Sequence, residues 1–138
     1  MKNNIDINYI RSELTKIQKY FVEQKFEKVI EKTKRLLKKG PNQVPFYNYI
    51  GLAYRQLGQN LNAEETLKKG LEIFPDNLSI ICNLGALYRF MCRFEEANHY
   101  LKKGLKIKTN DFNILCNYGN LKRDINQNKE AIEYYNKA

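Results

Sequence analysis

The chain has 138 residues and a formal charge of +9, with 43% hydrophobic and 28% charged residues. This composition is typical of one globular domain with a hydrophobic core and argues against intrinsic disorder. The N-terminal residues contain no apolar run of the signal-peptide type, and no stretch reaches the roughly 20 apolar residues of a membrane helix. Three cysteines without paired spacing indicate free thiols in a reducing compartment, so we expect a cytoplasmic protein.

A 34-residue period is the strongest feature of the sequence. Equivalent positions carry glycine (Gly51, Gly85, Gly119), alanine (Ala63, Ala97, Ala131) and arginine (Arg55, Arg89, Arg123). A fixed period of this length predicts a stack of similar supersecondary units, each of which packs against its neighbours.

The period predicts four helical hairpins, which we interpret as one domain over residues 1–138. In chain order, the hairpins cover residues 8–43, 44–77, 78–111 and 112–138. Apolar residues recur at helical spacing on both sides of a break in the middle two hairpins, and strand-like alternation is absent. The first hairpin is divergent, because Ile17 and Val29 stand where the others have glycine and alanine.

The fourth hairpin ends at Ala138, inside its second helix, and is incomplete as a repeat unit. A stack of repeats that stops there exposes an apolar face. We therefore expect that the natural chain continues, or that two copies associate through this hairpin.

The hairpin pattern resembles the tetratricopeptide repeat (TPR) family, whose unit is a 34-residue helix–turn–helix. In residues 78–111 the match consists of Ile81, Leu84, Gly85, Tyr88, Ala97, Leu101 and Gly104. The resemblance covers residues 44–138 well and residues 8–43 loosely. It implies an all-α fold, in which antiparallel helix pairs form a right-handed superhelical α-solenoid. It also implies that the first helices of the pairs line a concave groove for a protein ligand.

Residues that could support catalysis or bind a metal lack suitable partners. His99 is the one histidine, and no cysteine or carboxylate has triad or metal-ligand spacing to it. Cys82 and Cys116 occupy equivalent positions, roughly 8–10 Å apart at helix-packing distance, which exceeds the reach of a disulfide. We interpret both, and Cys92 in a predicted loop, as small apolar residues that are buried or line the groove. We predict a protein that is not an enzyme, with no catalytic residue, metal, cofactor or small-molecule substrate.

The resemblance implies that an asparagine two residues before the repeat glycine hydrogen-bonds the backbone of an extended peptide. Asn83 and Asn117 hold this position, whereas the second hairpin has Tyr49 there and Asn48 one residue earlier. A side-chain amide can both donate to and accept from a peptide backbone. We predict groove contacts from these four residues and from Asn120. The alternative is that the asparagines in this set are only solvated side chains of an asparagine-rich chain.

Arg55, Arg89 and Arg123 form a second set of candidate ligand-binding residues. Each follows a residue of the predicted groove face by seven positions, which is almost two helical turns, so each lies on that face. Guanidinium groups bind carboxylates through two parallel hydrogen bonds, so we expect an acidic partner segment. The alternative is that these arginines only complement the negative ends of their helix dipoles.

The leading hypothesis is a protein-interaction scaffold that binds an extended or helical, acidic segment of another protein in the concave groove. A second hypothesis is an N-terminal targeting arm of a longer enzyme, of the glycosyl- or sulfotransferase type, to which helical repeats of this kind are often fused. A third is binding of nucleic acid or an anionic surface by lysines of the second helices. We rank nucleic acid last, because most aromatic residues occupy packing positions and are not interleaved with these lysines. The basic residues concerned are Lys34, Arg35, Lys68, Lys69, Lys102, Lys103 and Lys137.

Overall fold

In a computed structural model, which describes residues 6–138, the chain folds into eight α-helices. The described residues contain no strand, so the predicted all-α fold is confirmed. The helices are α1 (Ile7–Val22), α2 (Phe26–Lys39), α3 (Val44–Gln56), α4 (Asn60–Ile73), α5 (Leu78–Phe90), α6 (Phe94–Ile107), α7 (Phe112–Asp124) and α8 (Asn128–Lys137). No helix in the described part of the chain is long and apolar enough to cross a membrane.

Side-chain caps define the starts of two equivalent helices. Asn77 precedes α5, and its Oδ1 accepts a hydrogen bond from the backbone N–H of Ile80 at 3.1 Å. Asp111 precedes α7 and accepts from Ile114 at 3.1 Å in the same way. Each cap satisfies one backbone donor that the first helical turn leaves without an intrahelical partner. The 34-residue period therefore extends to the caps.

Contacts group the chain into two compact units, one ending at Gly70 and the other covering Leu71–Ala138, with the boundary inside α4. We call them unit 1 and unit 2. The single domain and the superhelical path that the sequence predicts for the whole chain stay predictions.

Unit 1 has a core from α1, α2 and α3 that includes Ile17 and Val29, both fully buried. These are the residues that make the first hairpin divergent, and they fill the core with larger side chains than glycine and alanine. The neighbouring Glu13 is also buried, and its carboxylate accepts from Lys16 at 2.7 Å and from Lys32 of α2 at 2.6 Å. Two ammonium groups therefore compensate one buried carboxylate.

Unit 2 has a core from α5, α6, α7 and α8, in which small residues allow close helix contacts. Gly85 of α5 packs on Leu101 of α6, and Gly104 of α6 packs on Ile114 of α7. The last hairpin leaves apolar side chains accessible, with Ile132 59% and Tyr135 37% exposed. Self-association through the last hairpin, which the sequence led us to expect, stays a prediction.

Candidate functional site

A recess of 510 Å³ lies between α5 and α7 in unit 2. Its lining is polar at the helix starts and includes two of the predicted groove residues, Asn83 and Asn117. We call this site the α5/α7 recess. The lining residues are Leu78, Ser79, Cys82, Asn83, Asp111, Asn113 and Asn117.

The first contact across the recess joins Asn117 of α7 to Cys82 of α5. Asn117 Nδ2 donates to Cys82 Sγ at 3.0 Å and to the backbone oxygen of Asn113 at 2.9 Å. Both contacts use the amide nitrogen, so the orientation of the amide is set and its oxygen is the atom that can accept from a ligand N–H. Asn83 is half-buried on the same wall of the recess as Cys82.

The environment of Cys82 keeps its thiol protonated. Burial, and to a smaller extent the negative charge of Asp111, raise the pKa of Cys82 to about 11, and the hydrogen bond from Asn117 opposes the shift only in part. A neutral thiol is a weak nucleophile and a poor metal ligand. This wall of the recess is therefore suited to packing and weak hydrogen bonding.

The second contact between α5 and α7 is an ion pair that the sequence did not predict. Arg89 donates to Asp124 Oδ2 through Nη2 at 2.8 Å and through Nε at 2.9 Å. Both side chains are largely shielded, with 16% and 25% exposed. Arg123 lies 3.4 Å from the other oxygen of Asp124 and is 58% exposed. Two of the three predicted arginines therefore lie beside one carboxylate.

The two contacts have the same register. Cys82 and Arg89 are seven residues apart on α5, and Asn117 and Asp124 are seven residues apart on α7. At about 1.5 Å of rise per residue, seven residues separate the contacts by roughly 10 Å along the helices. An extended peptide covers that distance in about three residues. A bound segment along the recess could therefore contact both.

Asn120, the remaining predicted residue of unit 2, points its oxygen toward the last helix. Its Oδ1 accepts from the hydroxyl of Tyr135 on α8 at 2.7 Å. The oxygen of Asn120 thus joins α7 to α8, and only its amide nitrogen could serve a ligand.

Unit 1 contains the other predicted residues in a different setting. Tyr49 packs against the core of unit 1, and its ring meets the ring of Phe21 edge-on with centroids 5.9 Å apart. Asn48 and Arg55 are half-buried on the same helix, α3. The position that carries asparagine in α5 and α7 is therefore an aromatic packing position in unit 1.

The lysines of the second helices differ in how strongly they are paired. Lys68 and Lys69 of α4 contact Glu64 and Glu65 one turn earlier, at 2.9 and 2.7 Å. Lys102 of α6 borders a shallow surface recess with Lys103, His99 and three further residues of that helix. The paired carboxylates reduce the positive potential of α4, so the lysine surface is not uniform along the chain.

The described residues contain no group of three or more histidine, cysteine, aspartate or glutamate side chains that could hold a metal ion. The ring of His99 contacts Tyr100 edge-on, with centroids 5.1 Å apart. The interpretation of Cys92 as a buried or groove-lining residue is wrong, because it is exposed at a turn between α5 and α6.

Two models of the tetratricopeptide repeat match the sequence, over residues 44–110 and 112–138. No curated protein matches the chain by sequence.

Among solved structures, the chain is similar to MamA, with a TM-score of 0.76 and 19% identity over 96% of this chain and 77% of that chain. It is also similar to a thermophilic TPR protein from Thermus thermophilus, with a TM-score of 0.80 and 15% identity over 92% of this chain and 71% of that chain. The first TPR domain of human RPAP3 is similar with a TM-score of 0.75 and 17% identity, over 86% of this chain and 93% of that chain. At these identities the similarities bear on the fold alone. Together with the repeat matches over residues 44–138 and the eight-helix fold, they show that the chain belongs to the tetratricopeptide repeat family of helical protein-interaction scaffolds.

Proposed function

We propose that the protein binds an extended segment of another protein in the α5/α7 recess. The observation that carries the proposal is that Asn83 and Asn117 line one open recess of 510 Å³. A bound peptide loses the hydrogen bonds that its backbone makes with water, so a binding site needs donors and acceptors in their place. The Asn117 oxygen can accept, and an asparagine amide such as that of Asn83 carries both a donor and an acceptor.

The fixed amide of Asn117 supports an extended ligand. Its nitrogen is held by Asn113 and Cys82, so the oxygen does not need to be ordered when the ligand binds. Such preorganisation lowers the entropic cost of binding. Apolar and thiol groups beside the amides, from Leu78 and Cys82, offer contacts to small side chains of the ligand.

Charge gives weaker support for the proposed acidic ligand. Arg123 is the more exposed cation, whereas Arg89 already pairs with Asp124. Asp111 adds a carboxylate to the lining of the recess, whereas the two arginines lie outside that lining. For a ligand residue that reaches Arg123 we retain only a weak acidic preference, of about twofold at most, because an exposed cation contributes little. We assign the main affinity to backbone and packing contacts. The free thiols are consistent with the reducing cytoplasm that we propose as the location.

A random dodecapeptide library on phage, selected against the full chain, provides the test. Selected peptides would be synthesised, and their dissociation constants measured by fluorescence polarisation. Because two hydrogen bonds of about 1 kcal/mol each are removed, we expect Asn83→Ala/Asn117→Ala to weaken binding by about tenfold or more.

The matched control is Lys102→Glu/Lys103→Glu, a double change on α6, which does not line the recess. We expect this variant to bind the peptides as the wild type does. Equal affinity of the wild type and the asparagine variant would contradict the proposal. Loss of binding only in the lysine variant would assign the ligand to the α6 surface instead.

A further inference from the structure

Asp124 is the carboxylate that pairs with two of the three predicted groove arginines, Arg89 and Arg123. It accepts two hydrogen bonds from Arg89 and lies 3.4 Å from Arg123. A shielded guanidinium with a carboxylate partner is electrically neutral as a pair, and an acidic ligand gains little from it. An acidic ligand residue beside Arg89 would also lie close to the carboxylate of Asp124, which repels it.

The carboxylate at this position is peculiar to the last hairpin. Positions 34 and 68 residues earlier carry Phe90 and Gln56, although arginine recurs at all three preceding positions. The arginine thus recurs in three hairpins, whereas the acidic residue that follows it occurs only in the last hairpin. Packing of the repeat alone does not explain Asp124.

We propose that Asp124 is a specificity-determining residue, which neutralises Arg89 and so directs the recess toward segments without an acidic residue beside the ion pair. The inference rests on the proposed peptide-binding function. Without the Asp124 carboxylate, Arg89 and Arg123 present two guanidinium groups on neighbouring helices, and the same recess favours an aspartate or glutamate at that ligand position.

Asp124→Asn tests the proposal because it removes the charge and keeps the size of the side chain. The matched control is Glu133→Gln, which removes one negative charge from an exposed position of α8 outside the recess and keeps the size of the side chain. The probe is a peptide selected by the wild-type chain, synthesised as a series with asparagine or aspartate at each position in turn.

For the wild type, we expect no position at which aspartate binds more tightly than asparagine by more than a factor of about two, since Arg89 is paired. For Asp124→Asn, we expect one position at which aspartate binds about tenfold more tightly, because a new charge-assisted hydrogen bond forms. For Glu133→Gln, we expect the wild-type pattern. A purely structural ion pair would change the stability of the fold or the affinity for all peptides, but not the preference at one position.

An unchanged aspartate preference in Asp124→Asn, or the same gain in Glu133→Gln, would overturn the inference. In that case peptides that bind the wild type and are weakened by Asn83→Ala/Asn117→Ala would leave the proposed function intact. If the wild-type chain selects no peptide at all, the proposed function and the role of Asp124 fall together.

Discussion

Gly85 of α5 packs so closely on Leu101 of α6 that a Cβ atom at position 85 would lie 2.6 Å from Cγ and Cδ2 of Leu101. Leu101 is fully buried and cannot move away into solvent. The small residue recurs because the two helices of the hairpin meet at this position, as they do at Gly51 and Leu67 in unit 1.

We expect Gly85→Ala to destabilise the protein. Overpacking of a core typically costs about 1–3 kcal/mol, whereas alanine gains about 1 kcal/mol over glycine in a helix interior. The net loss of unfolding free energy should be up to about 2 kcal/mol, measured by urea denaturation followed by circular dichroism.

The Leu101→Ala background separates the two effects. It removes the side chain that a Cβ at position 85 would meet, so only the helix propensity remains. In this background Gly85→Ala should stabilise the protein by up to about 1 kcal/mol. The same sign of change in both backgrounds would contradict the packing argument.

The repeat, the all-α fold and the helix-contact glycines could be predicted because the 34-residue period records them. The contact of Arg89 with Asp124 could not, since the positions equivalent to Asp124 hold a phenylalanine and a glutamine. The packing of Tyr49 could not be predicted from the period either. Its position in the repeat matches that of Asn83, but contact with Phe21 places its ring against the core of unit 1. A period identifies what the repeats share, and the individual character of a binding site comes from the positions that differ.

The turns between paired helices provide the second prediction. One residue in each turn has a positive φ, at positions 34 residues apart, namely Gln24 (58°), Gly58 (73°), Cys92 (57°) and Asn126 (62°). Left-handed backbone costs a residue with a Cβ roughly 1–2 kcal/mol, and glycine offsets part of this difference through its larger entropy when unfolded. We expect Cys92→Gly to raise the free energy of unfolding by about 0.5–1 kcal/mol.

Two further variants serve as controls for the turn. Gly58→Ala should lower the stability by about 1 kcal/mol, although no atom lies within 4 Å of the added Cβ, because the cost is in the backbone. Asn126→Gly should have a smaller effect than Cys92→Gly, since asparagine tolerates the left-handed region better. Urea denaturation of all three measures the differences. A Gly58→Ala variant as stable as the wild type would refute the backbone origin of this energetic cost.

The third prediction concerns the buried carboxylate of Glu13. Burial by itself raises the pKa of this carboxyl, but hydrogen bonds and charges from Lys16 and Lys32 outweigh burial and lower the pKa below 4.5. Because the folded pKa lies below that of the unfolded chain, the stabilisation is fully present above about pH 4.5 and is lost as the pH falls through the folded value.

We expect Glu13→Gln to lower the free energy of unfolding at pH 7 by about 1–3 kcal/mol, since the lysines lose their charged acceptor. The difference between this variant and the wild type should shrink as the pH falls below 4.5 through the folded pKa of Glu13, because the wild-type carboxyl then takes up a proton. Glu31→Gln is the control, because its ion pair with Arg35 is exposed and should contribute little. A difference that is independent of pH would contradict the assignment. Urea denaturation at pH 7 and at a series of pH values below 4.5 provides the measurement.

The last prediction orders the reactivity of the thiols. Cys92 is exposed, whereas Cys82 is half-buried and its pKa is raised to about 11, chiefly by burial. At pH 8 only about one Cys82 thiol in a thousand is ionised, and the thiolate is the reactive species. Iodoacetamide should therefore modify Cys92 well before Cys82, as measured by mass spectrometry of peptides over time.

Asp111→Asn should speed the reaction of Cys82, because the negative charge of Asp111 contributes to the raised pKa. Equal rates for Cys82 and Cys92 in the native protein, together with equal rates in urea, would show that the α5/α7 recess does not shield its thiol.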